Sequence, residues 1–161
     1  MQAKQVIRLS LPSKGRLELD SLEFLAAAGL RVLKSNPRQY QAEVPAFPGL
    51  SVIFQRPGDI VVSVRQGSVD FGITGLDVIE EKRGTNGDVL ILHDSLGFGN
   101  CALTLAVPAA WKSVQDIDSL KKYARSLGRP LRAATKFPVL TERFLNSHQI
   151  PHTLIAAEGT L

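Results

Sequence analysis

Four short segments of this sequence bring small, hydroxyl-bearing and cationic residues together directly after an apolar run. They are Ser13-Lys14-Gly15-Arg16, Thr74-Gly75-Leu76-Asp77, Thr135-Lys136-Phe137-Pro138 and Glu158-Gly159-Thr160. If each run is a strand and each segment starts a helix, these turns offer free backbone N–H groups and the positive end of a helix dipole. Lys14, Arg16 and Lys136 add full charges, and arginine can hold a phosphate through two parallel hydrogen bonds. The pattern indicates anion binding, although a single turn of this kind is usually only a surface turn.

The sequence contains no pattern for covalent catalysis or for a protein-built metal site. It has no nucleophile elbow, Walker loop, Ser-His-Asp set or credible carboxylate pair. His93, His148 and His152 are scattered without metal-ligand spacing. Cys101 is the only cysteine and leads an apolar stretch, which predicts a buried structural thiol. The chemistry should therefore depend on positioning and charge.

One motif match is rejected. Residues 97–102 fit the dinucleotide fingerprint G-x-G-x-x-A, which binds pyrophosphate only where it opens a helix. The residues that follow, Leu103–Val107, have the composition of a strand. We therefore interpret Gly97 and Gly99 as parts of a flexible crossing between two lobes.

Composition indicates a folded protein with an anionic partner. Of the 161 residues, 44% are apolar and 21% are charged, and the formal net charge is +4. No apolar run approaches the roughly 18 residues that span a bilayer, and the first residues lack the design of a signal peptide. We expect a cytoplasmic location and no membrane partner. The basic stretch Lys112–Lys136 carries few aromatics among its cations, which favours a solvated helix face over nucleic-acid binding.

Apolar periodicity predicts strands that alternate with helices, as in βαβ units with a largely parallel sheet. The predicted strands are Val6–Leu11, Arg31–Lys34, Leu50–Gln55, Val69–Ile73, Val89–His93, Leu103–Val107, Leu131–Thr135 and Thr153–Ala157. We expect an α/β protein with a first lobe at residues 1–96 and a second at residues 97–161. The second lobe stops just after an apolar strand, as if the chain were cut.

The predicted helices cover residues 17–28 and 116–126 and begin near residues 60, 77 and 138. Asp77 and Glu80 have the spacing of a capping box, so Asp77 is predicted to be an N-cap. Pro138 fits the first turn of a helix.

Several segments, taken in order, resemble the ATP phosphoribosyltransferase family. They are residues 11–17 (LPSKGRL), 56–60 (RPGDI), 69–77 (VDFGITGLD), 96–101 (LGFGNC) and 134–138 (ATKFP). The resemblance implies a two-lobed fold similar to type II periplasmic binding proteins, with substrates in the cleft. It also implies that a return segment completing the first lobe, and an acidic phosphate-binding loop, lie beyond Leu161.

The implied reaction joins N1 of ATP to C1 of phosphoribosyl pyrophosphate, with pyrophosphate as the leaving group and Mg²⁺ assisting. Arg16 and Lys14 are the expected catalytic phosphate clamps; no metal ligand is assigned. The other expected substrate-binding residues are Gly15, Arg56, Asp59, Thr74, Gly75, Asp77, Lys136, Thr141, Glu158, Gly159 and Thr160. The plain alternative for Arg16 is an ion pair with Glu18 or Asp20.

The expected partners are ATP and phosphoribosyl pyrophosphate, further copies of the chain in a homo-oligomer, and a regulatory subunit resembling histidyl-tRNA synthetase. Two other classes stay open at this point. One is a non-catalytic two-lobed binding protein for a nucleotide or phosphorylated ligand. The other, a basic nucleic-acid-binding module, depends on net charge alone and predicts binding that weakens steeply with salt.

Overall fold

A computed structural model describes residues 6–36 and 39–157. The chain divides into two compact units, Met1–Cys101 and Ala102–Leu161. Each unit combines helices with a sheet whose strands run mostly parallel. The predicted α/β class is therefore confirmed, and each unit is described by itself.

The first unit contains a four-stranded sheet and three helices. Its elements are β1 (Ile7–Pro12), α1 (Arg16–Ala27), β2 (Gln41–Glu43), β3 (Leu50–Gln55), α2 (Pro57–Arg65), β4 (Phe71–Gly72) and α3 (Leu76–Lys82). The strand order is β2-β3-β1-β4, in which β1 is parallel to both β3 and β4. β2 is the antiparallel edge strand and forms the hairpin partner of β3.

The central strand β1 is buried on both faces. Leu9 and Leu11 join a core cluster with Leu25 of α1 and Val52 of β3. Successive side chains of a strand point to opposite faces, so Ser10 lies on the other face, where it is fully buried.

The second unit contains a βαβ element preceded by a helix. Its elements are α4 (Ile117–Ser126), β5 (Leu131–Thr135), α5 (Pro138–Ser147) and β6 (His152–Ala156). β5 and β6 are parallel, and Leu120, Leu145 and Ile150 close the core over them. Pro138 occupies the first turn of α5 as predicted.

Several predicted strands are wrong. Residues 89–93 and 103–107 have no regular structure, and Leu90 and Leu92 are 78% and 86% exposed. The predicted strand at residues 31–34 is a single bridge from Leu33 to Glu43. An alternating apolar pattern gives a segment strand propensity, but a strand also requires a neighbour that pairs with its backbone groups. Within residues 6–36 and 39–157, the segments 89–93 and 103–107 have no paired strand.

Two predictions about single residues are also wrong. Cys101 is exposed, because the segment that follows it is not a strand in a core. The N-cap of α3 lies two residues earlier than expected, at Gly75, which has an extended conformation. Asp77 therefore lies inside the first turn, where its charge still favours the helix dipole.

The segment at residues 96–101 opens neither a helix nor a strand. The rejection of the dinucleotide motif therefore agrees with the structure, although the strand that motivated it is absent. Phe98 packs against Phe24 of α1, with ring centroids 5.8 Å apart. Gly99 lies so close to α1 that a Cβ would be 2.9 Å from Leu17 Cδ1.

Gly72 allows β4 to pack closely against α2. A Cβ at this position would overlap Ile60 Cγ2 and lie 3.2 Å from the Ser10 carbonyl oxygen. Because Ile60 is buried, it has little room to move. We expect Gly72→Ala to lower the free energy of unfolding by about 1–3 kcal/mol, as overpacked cores do, in urea denaturation. The loss should be smaller in an Ile60→Ala background, and an equal loss in both backgrounds would contradict the overlap.

The start of α4 is held by a complete capping box. Ser119 N–H donates to Asp116 Oδ1 at 2.7 Å, and Asp116 N–H donates to Ser119 Oγ at 3.0 Å. The hydrogen bonds from Ser119 stabilise the charged carboxylate, so the pKa of Asp116 lies below its ordinary value. The resulting stabilisation is present above the pKa of the unfolded chain and is lost as the pH falls through the folded pKa.

Asp116→Ala should therefore destabilise the protein at about pH 7, and the difference from wild type should shrink at about pH 3. The measurement is chemical denaturation at both pH values. Asp118→Ala is the matched control, since Asp118 is also in the first turn of α4 but does not form the box. A penalty for Asp116→Ala that is the same at both pH values would contradict the assigned role of its charge.

Candidate functional site

Three turns of the first unit lie at one edge of its sheet. Pro12 at the end of β1 is opposite Gln55 at the end of β3, and Ser10 is opposite Gly72 of β4. Since the three strands are parallel, their carboxyl ends meet at the same edge, which is where ligands bind in open α/β sheets. The turns that leave this edge contain the predicted site residues of the first unit: Lys14, Gly15, Arg16, Arg56, Asp59, Thr74, Gly75 and Asp77. We call this edge the anion edge.

All three helices that start at the anion edge lack a side-chain cap. Gly15, Arg56 and Gly75 are the N-caps of α1, α2 and α3, and none of them makes a side-chain capping hydrogen bond. In contrast, α4 does not follow a strand end and has the full capping box. The first N–H groups of an uncapped helix are left for water or for a ligand. The anion edge therefore offers a set of backbone donors as well as side-chain cations.

The turn between β1 and α1 depends on glycine. Gly15 has φ 79° and ψ −169°, a conformation that side chains disfavour. The cations on either side of it, Lys14 and Arg16, are both exposed. The Arg16 side chain is 90% exposed, and its Nε lies 3.6 Å from Asp20 Oδ2, a buried oxygen without a hydrogen bond. This is a loose ion pair that leaves Arg16 free to turn towards a ligand.

Glu18, the other partner considered for Arg16, is engaged elsewhere. It pairs with Lys34, whose ammonium also lies 3.6 Å from the centre of the Phe54 ring. Both members of this pair are largely buried. Glu18 in the first turn of α1 is thereby fixed to β3, which helps to hold the start of α1 in place.

The turns after β3 and β4 are joined by a hydrogen bond. Thr74 Oγ1 donates to the Pro57 carbonyl oxygen at 3.1 Å, so the structure assigns Thr74 a role in aligning the two turns. Arg56 and Asp59 are exposed at the start of α2. Asp77 folds back over Gly75 so closely that any larger residue at position 75 would meet its carboxylate.

The second unit has one comparable turn, between β5 and α5. Thr135 Oγ1 accepts hydrogen bonds from Phe137 N–H and from the Thr141 hydroxyl, both at 2.9 Å. Lys136 is exposed beside the Phe137 ring, and Thr141 is half-buried on α5. The predicted residues Glu158, Gly159 and Thr160 lie outside the described residues.

Sequence reasoning left two residues out of the expected site. Thr135 was named in its candidate turn but not as a site residue, although it organises that turn through the two hydrogen bonds above. Lys82 ends α3, yet its Cε lies 2.8 Å from the position of a Cβ on Gly58 in the first turn of α2. Because no local pattern links residues 58 and 82, the sequence carried no signal for this second contact.

The two units differ in charge. In the full sequence, residues 1–101 contain eleven Lys or Arg and eleven Asp or Glu, whereas residues 102–161 contain eight against four. The whole net charge of +4 therefore belongs to the second unit. Such an imbalance favours the approach of anions over cations. Within the described ranges, no helix is long and apolar enough to cross a membrane.

These features define a class of protein. It is an α/β protein in which uncapped helix starts and exposed cations lie at the carboxyl edge of a parallel sheet. Comparison with known proteins gives the family. Residues 56–161 match the family described as HisG: ATP phosphoribosyltransferase. The chain belongs to the ATP phosphoribosyltransferase family.

Relatives agree with this assignment. ATP phosphoribosyltransferase 2, chloroplastic, from Arabidopsis thaliana is 44% identical over 98% of this chain and 39% of its own length. ATP phosphoribosyltransferase from Brucella anthropi is 34% identical over 95% of this chain and 71% of its own length. The chain thus spans about two fifths of the plant relatives that it matches.

The fold is similar to that of a solved ATP phosphoribosyl transferase (HisG:HisZ) complex from Thermotoga maritima. The TM-score is 0.57 at 20% sequence identity, over 96% of this chain and 66% of that one.

Proposed function

We propose that this chain binds the substrates of an ATP phosphoribosyltransferase, the enzyme that starts histidine biosynthesis. The observation that carries the proposal is the anion edge, where three uncapped helix starts meet Lys14, Arg16 and Arg56. Family membership supplies the reaction: N1 of ATP bonds to C1 of the ribose, and the C1–oxygen bond to pyrophosphate breaks. The electron pair of that bond leaves with the pyrophosphate.

This reaction needs no protein nucleophile, which suits the residues at the anion edge. Negative charge grows on the departing pyrophosphate, and positive charge grows on the sugar. Donors and cations that are already in place stabilise such charge without reorganising. We assign Arg16, Lys14 and Arg56 to the pyrophosphate, and the first-turn N–H groups of α1 and α2 to its oxygens.

Magnesium would neutralise part of the pyrophosphate charge. Within residues 6–36 and 39–157, no three His, Cys, Asp or Glu side chains form a metal-binding group. Mg²⁺ commonly binds through substrate phosphates and only one or two carboxylates. Asp59 and Asp77, in the first turns of α2 and α3, are the carboxylates of the anion edge that fit such an ion.

The remaining parts of the proposal concern the whole protein. We propose a two-lobed arrangement like that of type II periplasmic binding proteins, with Lys136, Thr141, Glu158, Gly159 and Thr160 contributed by the second lobe. We also propose that the protein forms a homo-oligomer and associates with a regulatory subunit resembling histidyl-tRNA synthetase; the HisG:HisZ composition of the Thermotoga maritima complex supports a second kind of subunit.

The full-length protein should form phosphoribosyl-ATP when ATP, phosphoribosyl pyrophosphate and magnesium are supplied. Product formation can be followed by ultraviolet absorbance or by chromatography. Omitting either substrate is the control. Binding of both substrates without any product would contradict the proposal and favour a non-catalytic binding protein.

Arg16→Ala in the full-length protein should lower kcat/KM by a factor that corresponds to about 2–4 kcal/mol of transition-state stabilisation. The reason is the loss of a cation that stands beside the developing pyrophosphate charge. Asp20→Asn is the matched control, because it removes the ion-pair partner of Arg16 but keeps the guanidinium. If Arg16 serves only that ion pair, both variants will keep the same kcat/KM.

A further inference from the structure

A chain of polar side chains, buried at Ser10 and Ser63 and half-buried at Gln55, runs beneath the anion edge. Ser10 Oγ donates to Gln55 Oε1 at 2.6 Å, and Gln55 Nε2 donates to Ser63 Oγ at 2.9 Å. Ser10 is fully buried and Ser63 is 9% exposed. The three residues belong to β1, β3 and α2, so one amide connects three elements of the first unit.

Packing alone does not account for these residue types. Ser10 lies in the centre of the most buried strand, between Leu9 and Leu11, where an apolar side chain would gain burial energy. A buried hydroxyl or amide costs free energy unless it is hydrogen-bonded. A hydrogen-bonded side chain fixes the relative placement of the elements that it joins, since its partners must stay within a narrow range of distance and angle.

This placement matters because of the position of Gln55 in the chain. It is the last residue of β3 and immediately precedes Arg56, the N-cap of α2. Its oxygen is tied to β1, whose following turn contains Lys14 and Arg16. Its nitrogen is tied to Ser63, near the far end of α2. A glutamine suits this place because its amide is both a donor and an acceptor.

We propose that Gln55 is a positioning residue for the anion edge, which sets the start of α2 and Arg56 at a fixed distance from the Lys14–Arg16 turn. The inference rests on the proposed function and names a residue outside the expected substrate contacts. Two cations from different turns can hold one pyrophosphate only if their separation is correct. A misplacement of about an ångström in such a site is costly even when every ligand-contacting residue is present.

The test uses the full-length protein with Gln55→Met, which keeps the length of the side chain but removes both hydrogen bonds. Binding of pyrophosphate is measured by calorimetry, and kcat and KM are measured for both substrates. We expect the Kd for pyrophosphate and the KM for phosphoribosyl pyrophosphate to rise about fivefold, an effect of the size of one hydrogen bond. We expect kcat to fall as well, because the same cations stabilise the charge that grows on the departing pyrophosphate. Ser63→Ala should produce a similar rise, and the double variant should add little to it.

Ser21→Ala is the matched control. Ser21 is also fully buried and donates to a carbonyl oxygen, that of Leu17, but it lies within α1 and has no link to α2. This variant should lose stability while keeping KM and Kd. A purely structural role for Gln55 would lower the active fraction, and hence kcat, at unchanged KM; that result would overturn the inference.

The design separates this inference from the proposed function. A wild-type protein that binds pyrophosphate but forms no product refutes the proposed function, and the calorimetric comparison still decides the role of Gln55. A wild-type protein that does not bind pyrophosphate refutes both.

Discussion

The burial of β1 on both faces is the constraint on which the rest of the first unit depends. Leu9 and Leu11 pack towards α1, and Ser10 faces the side of Ile60 and Ser63 in α2. A strand enclosed in this way cannot shift by one residue, because every side chain would then face the wrong layer. Its register with β3 and β4 is therefore fixed, and with it the place where the three following turns emerge. The anion edge is a consequence of how the core packs.

The helix starts at that edge differ from the start of α4, and the difference is consistent with the proposed function. A capping side chain typically contributes about 0.5–2 kcal/mol to a helix, and α4 has such a cap in the pair Asp116 and Ser119. The helices α1, α2 and α3 have none, although serine and aspartate are common in this chain. The difference follows position, since the uncapped starts all lie at the carboxyl edge of the sheet. Leaving helix starts without a side-chain cap costs stability there, and under the proposed function a phosphate ligand would restore it.

Much of this could be predicted from the sequence, because the informative residues are neighbours in the chain. The turn at Lys14, Gly15 and Arg16 follows an apolar run directly, and so does the turn at Thr74. The contacts that the sequence did not reveal join residues that are distant in the chain. The Ser10–Gln55 hydrogen bond joins positions 45 residues apart, and nothing in the local pattern pairs them. The strand predictions for residues 89–93 and 103–107 were wrong for the converse reason. These segments have the composition of strands, but pairing depends on a neighbour that composition does not reveal.

The loose ion pair of Arg16 links the geometry of the anion edge to the proposed function. An exposed ion pair contributes only about 0–1 kcal/mol, and the Arg16–Asp20 pair is longer than a hydrogen bond while the arginine is 90% exposed. Folding therefore gains little from placing a cation beside Gly15. Moving the guanidinium away leaves the buried Asp20 Oδ2 without its charged partner, a cost that a bound phosphate would offset under the proposed function. The start of α1 is held instead by Glu18 through its buried pair with Lys34. Under the proposed function, anchoring and ligand binding are divided between two charged residues in the same helical turn, and this division would let Arg16 move while the backbone donors around it stay fixed.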